Sequence, residues 1–162
     1  MDSPPRANGL RAEVMNEVRN MTTQDAQTER PMVPLRQGLF RLPSAGEEAA
    51  LIGSRCPDCG KCFFPRRHVC LNCSRQGLDE APLSRRGKVW TFTIVRQTPP
   101  ASLTRAPYAI AYVELPEGVR VETILTGDPE AVRIGMDVEF VLEKVGTSAE
   151  GADMMAFKFR PV

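Results

Sequence analysis

The sequence has few of the residues from which active sites are usually built. Histidine occurs once in the 162 residues, as His68. We find no serine, histidine and aspartate set that would activate a nucleophile, and no glycine-rich loop that would hold phosphates. We therefore expect no catalytic residue in this chain, and a free-standing enzyme is the least favoured class of function.

A strong net charge is also missing. The chain carries 21 basic and 20 acidic residues, and its formal net charge is +1. Proteins built mainly to bind polyanions are usually far more basic. Aromatic residues make up 6% of the chain, which leaves few side chains for stacking on bases. Nucleic acid is therefore a disfavoured partner.

Long apolar runs are absent as well. No run approaches the roughly 20 residues that a membrane-spanning helix needs, and the N-terminus has no apolar signal core. We expect no membrane partner, and a reducing, cytoplasmic location is the simplest interpretation. Disulfides are rare in that compartment, which disfavours them for the cysteines of this chain.

Two cysteine pairs form the most specific motif of the sequence. Cys56 and Cys59 make one C-x-x-C, and Cys70 and Cys73 make a second. Two such turns can point four thiolates at one tetrahedral ion, which predicts a zinc ribbon. Four thiolates leave no open position for water or substrate, so the expected role of the metal is structural. Iron in a rubredoxin-like electron carrier is the alternative that spacing alone leaves open.

Residues around the cysteines refine this prediction. Gly60 suits the tight backbone of a knuckle, and residues 63–65 suit a short strand before a turn. Ser74 stands where the second knuckle might carry glycine. Cys62 is a fifth cysteine, which we interpret as a small buried or edge thiol. His68 is poorly placed to replace a cysteine ligand.

The N-terminal segment differs from the remainder of the chain. From Asn8, apolar residues recur at helical spacing, which predicts a short helix that either docks on a surface or frays. A polar segment without period follows and is typical of a linker. The predicted organisation is an N-terminal helix and linker at residues 1–34, a zinc ribbon with its lead-in at 35–80, and an OB-fold at 81–162.

Five period-two segments predict strands in the last part of the chain. They cover residues 88–95, 108–115, 119–126, 137–145 and 154–162. In the first of them, Trp90 and Phe92 are expected to share a core face. Five short antiparallel strands bury their edges best by closing into a barrel, so we predict a mainly β fold with a five-stranded OB-fold. An SH3-like barrel and an open meander are the alternatives.

Residues 37–162 resemble the acyl-CoA-associated zinc-ribbon/OB-fold protein family. The resemblance rests on LIGSRCPDCGKCFFPRRHVCLNC, then GKVWTFTIV, PYAIAYVELPEGVR and RIGMDVEF, in that order. It implies a rubredoxin-like ribbon and an accessory subunit that binds a thiolase-superfamily enzyme and helps hold its acyl-CoA. The partner then carries the catalytic cysteine and histidines. The chain is most similar to small subunits of two-component thiolases, such as that of benzoylsuccinyl-CoA thiolase.

Two basic clusters are candidates for binding coenzyme A. Arg66 and Arg67 lie in the ribbon hairpin, and Arg85, Arg86 and Lys88 lie at the junction with the barrel. Coenzyme A carries a 3′-phosphate and a pyrophosphate, and arginine pairs with phosphate in a planar, bidentate way. We expect these clusters to frame an acyl-CoA entrance, although solvated arginines on turns are the ordinary alternative. A nucleic-acid-binding zinc-ribbon/OB-fold module is the main alternative function.

Overall fold

The computed structural model describes residues 30–162, which form ten strands and one short 3-10 turn. The strands are β1 Met32–Pro34, β2 Phe40–Arg41, β3 Ala50–Arg55, β4 Cys62–Phe63, β5 Asp79–Pro82, β6 Arg86–Val95, β7 Tyr108–Glu114, β8 Arg120–Leu125, β9 Asp137–Thr147 and β10 Asp153–Pro161, with the turn at Pro129–Ala131. Among these residues, no helix is long and apolar enough to cross a membrane. The N-terminal helix predicted from the sequence lies outside the described residues.

Strands β6 to β10 close into a five-stranded barrel. Around the barrel the order is β6, β7, β8, β10 and β9, and β9 returns to pair with the start of β6. Strands β8 and β10 are parallel, whereas the other neighbouring pairs are antiparallel. This is the order of an OB-fold, so the predicted barrel is confirmed. Each of the five predicted strands is present, and β6 and β9 each extend two residues further than predicted.

The inward faces of the strands supply the barrel core. Val113, Val121 and Val138 are fully buried, as the period-two pattern of their strands requires. Phe140 of β9 and Phe159 of β10 meet edge to face, with ring centroids 6.2 Å apart. Such an aromatic pair contributes stability beyond the burial of its surface area. Packing as well as hydrogen bonding therefore holds the closing strands together.

Trp90 does not share the core face that the sequence predicted. A bulge between Val89 and Thr91 shifts the register of β6, so Val89 is buried and Trp90 is 46% exposed. At the bulge, Val89 exchanges backbone hydrogen bonds with the segment before β9: its N–H donates to Met136 O, and Gly135 N–H donates to Val89 O. β6 pairs with β7 on both sides of this bulge, and the extra residue there breaks the strict alternation of the strand.

The ribbon is organised around β3. This strand pairs with β2 and β4 along one edge and with β5 along the other. Gly53 in β3 allows a close approach, since an added Cβ would lie 2.6 Å from the carbonyl oxygen of Phe63. Phe40, Leu51 and Leu83 are buried in the same apolar cluster as the barrel core. The ribbon and the barrel therefore share one core.

A short strand lies where the sequence predicted linker. Met32–Pro34 forms β1, which pairs in parallel with Asp153–Met155 at the start of β10. The N–H of Leu35 then donates to the carbonyl of Met155 at 2.7 Å. Three residues are too few to show a periodic pattern, and their strand pairing depends on a segment more than a hundred positions away.

Candidate metal centre and two neighbouring cavities

The two cysteine pairs sit on knuckles with the same backbone hydrogen bonds. In the first knuckle, Gly60 N–H donates to Cys56 O at 2.9 Å, and Cys56 N–H donates to Lys61 O at 2.9 Å. In the second, Ser74 N–H donates to Cys70 O at 3.0 Å, and Cys70 N–H donates to Arg75 O at 2.8 Å. The chain thus forms the same turn twice, and each turn presents two thiols.

The four sulfur atoms converge on one point. Cys56 Sγ lies 3.6 Å from Cys73 Sγ, and Cys59 Sγ lies 3.5 Å from Cys70 Sγ. All four sulfurs lie within 4.8 Å of one another. A tetrahedral zinc ion with Zn–S bonds of about 2.3 Å requires neighbouring sulfurs about 3.8 Å apart, so the group fits zinc. Cys56 and Cys70 are buried, whereas Cys59 and Cys73 reach the surface.

The thiols interact strongly with one another. The backbone N–H of Lys61 lowers the pKa of Cys59 to about 6, helped by the sulfurs of its neighbours. For Cys73 the backbone N–H of Arg75 favours the thiolate, but loss of water contact and the neighbouring sulfurs raise its pKa to about 12. Four thiolates at this spacing repel one another unless a cation lies between them, and metal binding displaces the remaining protons.

The structure places Cys62 and His68 outside this group. The Cys62 thiol points to the carbonyl oxygen of Gly60 at 3.8 Å and packs at the edge of the core. His68 is exposed, and its backbone carbonyl accepts a hydrogen bond from Gly77 N–H. Neither side chain belongs to the four-sulfur group, which matches the interpretation made from spacing.

Four of the five basic residues proposed for coenzyme A are paired with carboxylates. The pairs are Arg66 with Glu80, Arg85 with Glu48, Arg86 with Glu139, and Lys88 with Asp137; every side chain among them except that of Glu139 is well exposed. The fifth, Arg67, is exposed, and its backbone N–H donates to Ser54 Oγ at 3.1 Å. Exposed ion pairs contribute little to stability, so Glu80, Glu48 and Asp137 hold their basic partners only weakly.

One cavity lies at the junction of the ribbon and the barrel. It is an open, shallow cavity with a volume of about 600 Å³. Its lining consists of Glu48, Ser84, Arg85, Arg86, Pro116, Glu139 and Arg160. Arg85 and Arg86 were singled out in the sequence, but Arg160 was missed because it is more than seventy positions away. The sequence did carry one signal for it: Phe159 faces the core, so the period-two pattern of the last strand places Arg160 on the outer face.

A second cavity is an apolar groove on the outer face of the barrel, with a volume of about 610 Å³. Its lining comes from the lead-in, from the ribbon hairpin and from β7, β8 and β10: Leu35, Arg36, Leu39, Phe40, Phe64, Pro65, Ile110, Tyr112, Arg120, Glu122, Thr123, Ile124, Ala156 and Phe157. Sequence reasoning did not find this groove, because its walls come from segments far apart in the chain.

An aromatic and charged cluster borders the groove. The Arg120 guanidinium lies 3.7 Å from the centroid of the Trp90 ring, and its Nε donates to Glu114 at 3.1 Å. The Tyr112 hydroxyl donates to Glu122 at 2.8 Å, which raises the pKa of Tyr112. The exposed Trp90 and Tyr112 are therefore held in fixed orientations.

Family models match both parts of the described chain. A model described as the rubredoxin-like zinc ribbon domain of ChsH2 matches residues 44–79. A model described as the C-terminal OB-fold domain of ChsH2 matches residues 80–143.

Relatives of known description span most of the same region. A DUF35 domain-containing scaffold protein of Methanocaldococcus jannaschii is 40% identical over 119 residues, covering 72% of this chain and 84% of the relative. The benzoylsuccinyl-CoA thiolase subunit BbsA of Thauera aromatica is 32% identical over 126 residues, covering 76% and 85%.

A solved structure described as the Ltp2-ChsH2(DUF35) aldolase superposes with a TM-score of 0.59 and 29% sequence identity. The match covers 69% of this chain and 84% of that chain. Together with the sequence relatives, this match extends over the ribbon and the barrel. The chain therefore belongs to the DUF35 family, in which a rubredoxin-like zinc ribbon is joined to an OB-fold.

Proposed function

We propose that this chain is a non-catalytic subunit that binds a thiolase-superfamily enzyme and helps hold its acyl-CoA substrate. The proposal draws on the described functions of its relatives, one a thiolase subunit and one part of an aldolase complex. The observation that carries it is the groove beside Trp90 and Tyr112, because this surface has the composition of a protein interface. In this account the reaction takes place in the partner, in a reducing cytoplasm.

Zinc has a structural role in this proposal. Cys56, Cys59, Cys70 and Cys73 would hold one ion, and the filled tetrahedron would leave no position for substrate. The metal fixes the two knuckles and therefore the hairpin that carries Arg66 and Phe64. Phe64 lines the groove and meets Phe157 of the barrel edge to face, with centroids 6.1 Å apart. Zinc would thus stabilise the proposed partner surface indirectly, by fixing the hairpin that carries Phe64.

The partner surface has two parts. Tryptophan, tyrosine and arginine dominate the binding energy of protein interfaces, and Trp90, Tyr112 and Arg120 adjoin one another on the outer face of the barrel. Their orientations are fixed before binding by the stacking of Arg120 and the hydrogen bond to Glu122, which lowers the entropy lost on association. The adjacent groove offers apolar walls for side chains of the partner.

The acyl-CoA would lie between the two proteins. The cations for its phosphates would come from Arg66 and Arg67 on the ribbon, from Arg85 just before β6, and from Arg86 and Lys88 in β6. The nucleic-acid alternative is not favoured, because the relatives are enzyme subunits and Arg120 covers one face of Trp90, which removes it as a platform for a base.

Affinity capture with tagged full-length chain tests the proposal. Mass spectrometry should identify a thiolase-superfamily enzyme, and metal analysis of the same sample should give about one zinc per chain. Trp90→Ala and Tyr112→Ala should each weaken the complex by about 30-fold in Kd, because interface aromatic residues contribute about 2 kcal/mol or more. Ile134→Ala is the control, since Ile134 is an exposed apolar residue that does not line the groove. Capture of nucleic acid without such an enzyme would contradict the proposal.

A further inference from the structure

We propose that the cavity between β6, β9 and β10 is a phosphate-ester site, which binds the phosphorylated nucleotide end of an acyl-CoA through Arg85, Arg86 and Arg160. This inference rests on the proposed function and assigns one end of the ligand to this chain alone. It adds Arg160 to the cations singled out in the sequence. It also gives Glu139 a positioning role.

One carboxylate faces two of the three arginines. Glu139 on β9 stands directly opposite Arg86 on β6 and directly opposite Arg160 on β10. Its Oε1 accepts a hydrogen bond from Arg160 Nε at 2.6 Å, and its Oε2 lies 3.8 Å from Arg86 Nη2. The Glu139 side chain is only 20% exposed. It therefore anchors the Arg160 guanidinium by a hydrogen bond and attracts the more exposed Arg86 guanidinium electrostatically.

The third arginine has a weaker partner. Arg85 Nη1 lies 2.5 Å from Glu48 Oε2, but the Glu48 side chain is 83% exposed. An ion pair with so exposed a carboxylate is worth little, and a phosphate dianion can replace it. The Arg85 guanidinium also lies 5.8 Å from the centroid of the Phe140 ring, which keeps it at the cavity wall without Glu48.

The cavity presents more positive than negative charge. Three guanidinium groups and two carboxylates line it, and the nearby Glu117 carboxylate is bonded by the N–H and Oγ of Ser84 and does not line it. The pKa of Glu139 is lowered, first by the hydrogen bond from Arg160 and then by the charges of Arg160, Arg86 and Arg85, which agrees with a positive potential there. Each guanidinium has five N–H donors, so Arg160 retains donors for a ligand beside its hydrogen bond to Glu139, and so does Arg86 at 3.8 Å from that carboxylate.

The chemistry of the lining selects the ligand class. The paired N–H donors of an arginine guanidinium can bind two oxygens of one phosphate group. Several guanidinium groups around one cavity therefore favour a ligand with more than one phosphate group. Apolar ligands are poorly suited, because charged and polar residues dominate this wall. The apolar groove shares no lining residue with this cavity, so the two sites can be disrupted separately.

Calorimetric titration of the zinc-loaded full chain with adenosine 3′,5′-bisphosphate tests the inference. We expect saturable binding that Arg160→Gln weakens at least about tenfold, since a charge-assisted pair to phosphate is lost. Arg96→Gln is the matched control, because Arg96 is an exposed arginine paired with Glu130 and does not line the cavity. Glu48→Gln should tighten binding, because it removes the carboxylate that competes with the phosphate for Arg85.

Three results would overturn the inference: no binding, equal weakening by Arg160→Gln and Arg96→Gln, or no effect of Glu48→Gln. Equal affinity for inorganic phosphate would also overturn it, because the site would then not distinguish a nucleotide. Capture of the partner by Arg160→Gln, measured on the same preparation, separates the two proposals. If Arg160→Gln still captures the partner but no longer binds the nucleotide, both the site and the proposed function are supported. If the wild-type chain captures no such partner, the proposed function alone is contradicted.

Discussion

The two knuckles of the ribbon form the same backbone turn from different residues. In the first knuckle the left-handed position is Gly60, with φ of 70°. In the second it is Ser74, with φ of 61°. A left-handed residue with a side chain is less stable than glycine by roughly 1–2 kcal/mol, yet the hydrogen bonds of the two turns agree within 0.1 Å. The sulfur group therefore imposes one geometry on both turns, and Ser74 accepts strain that Gly60 avoids.

Removing a ligand from either knuckle should have the largest effect. Cys56→Ser and Cys70→Ser each delete a buried thiolate, and we expect zinc affinity to fall at least about 100-fold in both variants. Titration with a competing chelator measures this loss, and circular dichroism monitors the ribbon. Cys62→Ser is the control and should retain zinc, because Cys62 lies outside the four-sulfur group. Loss of zinc in that control would show that Cys62 is a ligand.

Placing a side chain at the glycine should make the first knuckle like the second. Gly60→Ala meets no atom within 4 Å of the added Cβ, so the backbone conformation alone opposes it. We expect the free energy of unfolding to fall by about 1 kcal/mol in the zinc-loaded protein. Denaturant unfolding measures the change. An unchanged midpoint would mean that the left-handed turn adds no strain here.

Removing the side chain from the second knuckle should change the free energy of unfolding least, and in the opposite direction. Ser74→Gly relieves the left-handed strain but makes the unfolded chain more flexible, which offsets part of the gain. We expect the free energy of unfolding to rise by about 0.5–1 kcal/mol. Thermal unfolding at fixed zinc concentration checks the sign, and destabilisation by Ser74→Gly would refute the strain assigned to Ser74.

The sequence predicts those parts of the fold that depend on local pattern. The cysteine spacing specifies the four-sulfur group, and the alternation in residues 108–115 and 119–126 specifies β7 and β8. Strand number and the need to close edges predict a five-stranded barrel, for which an OB-fold was the first candidate and an SH3-like barrel or an open meander the alternatives. These features need no knowledge of distant contacts, which explains why they are predictable.

Features that depend on distant contacts could not be predicted. Trp90 leaves the core because a bulge shifts the register of β6 against β7, and Met32–Pro34 becomes a strand because β10 pairs with it. Arg160 joins Arg86 only through Glu139, after three strands have come into register. In each case the deciding neighbour lies tens of residues away, so neither local propensity nor period contains the information.

Reconstitution of the partner enzyme tests the central claim most directly. The captured thiolase-superfamily enzyme is assayed for kcat and KM toward its acyl-CoA with and without the zinc-loaded chain, and the chain is assayed alone. The account predicts no turnover by the chain alone, and a lower KM or a gain in activity when it is added to the enzyme. Full activity of the enzyme with the same KM in the absence of this chain would contradict the account.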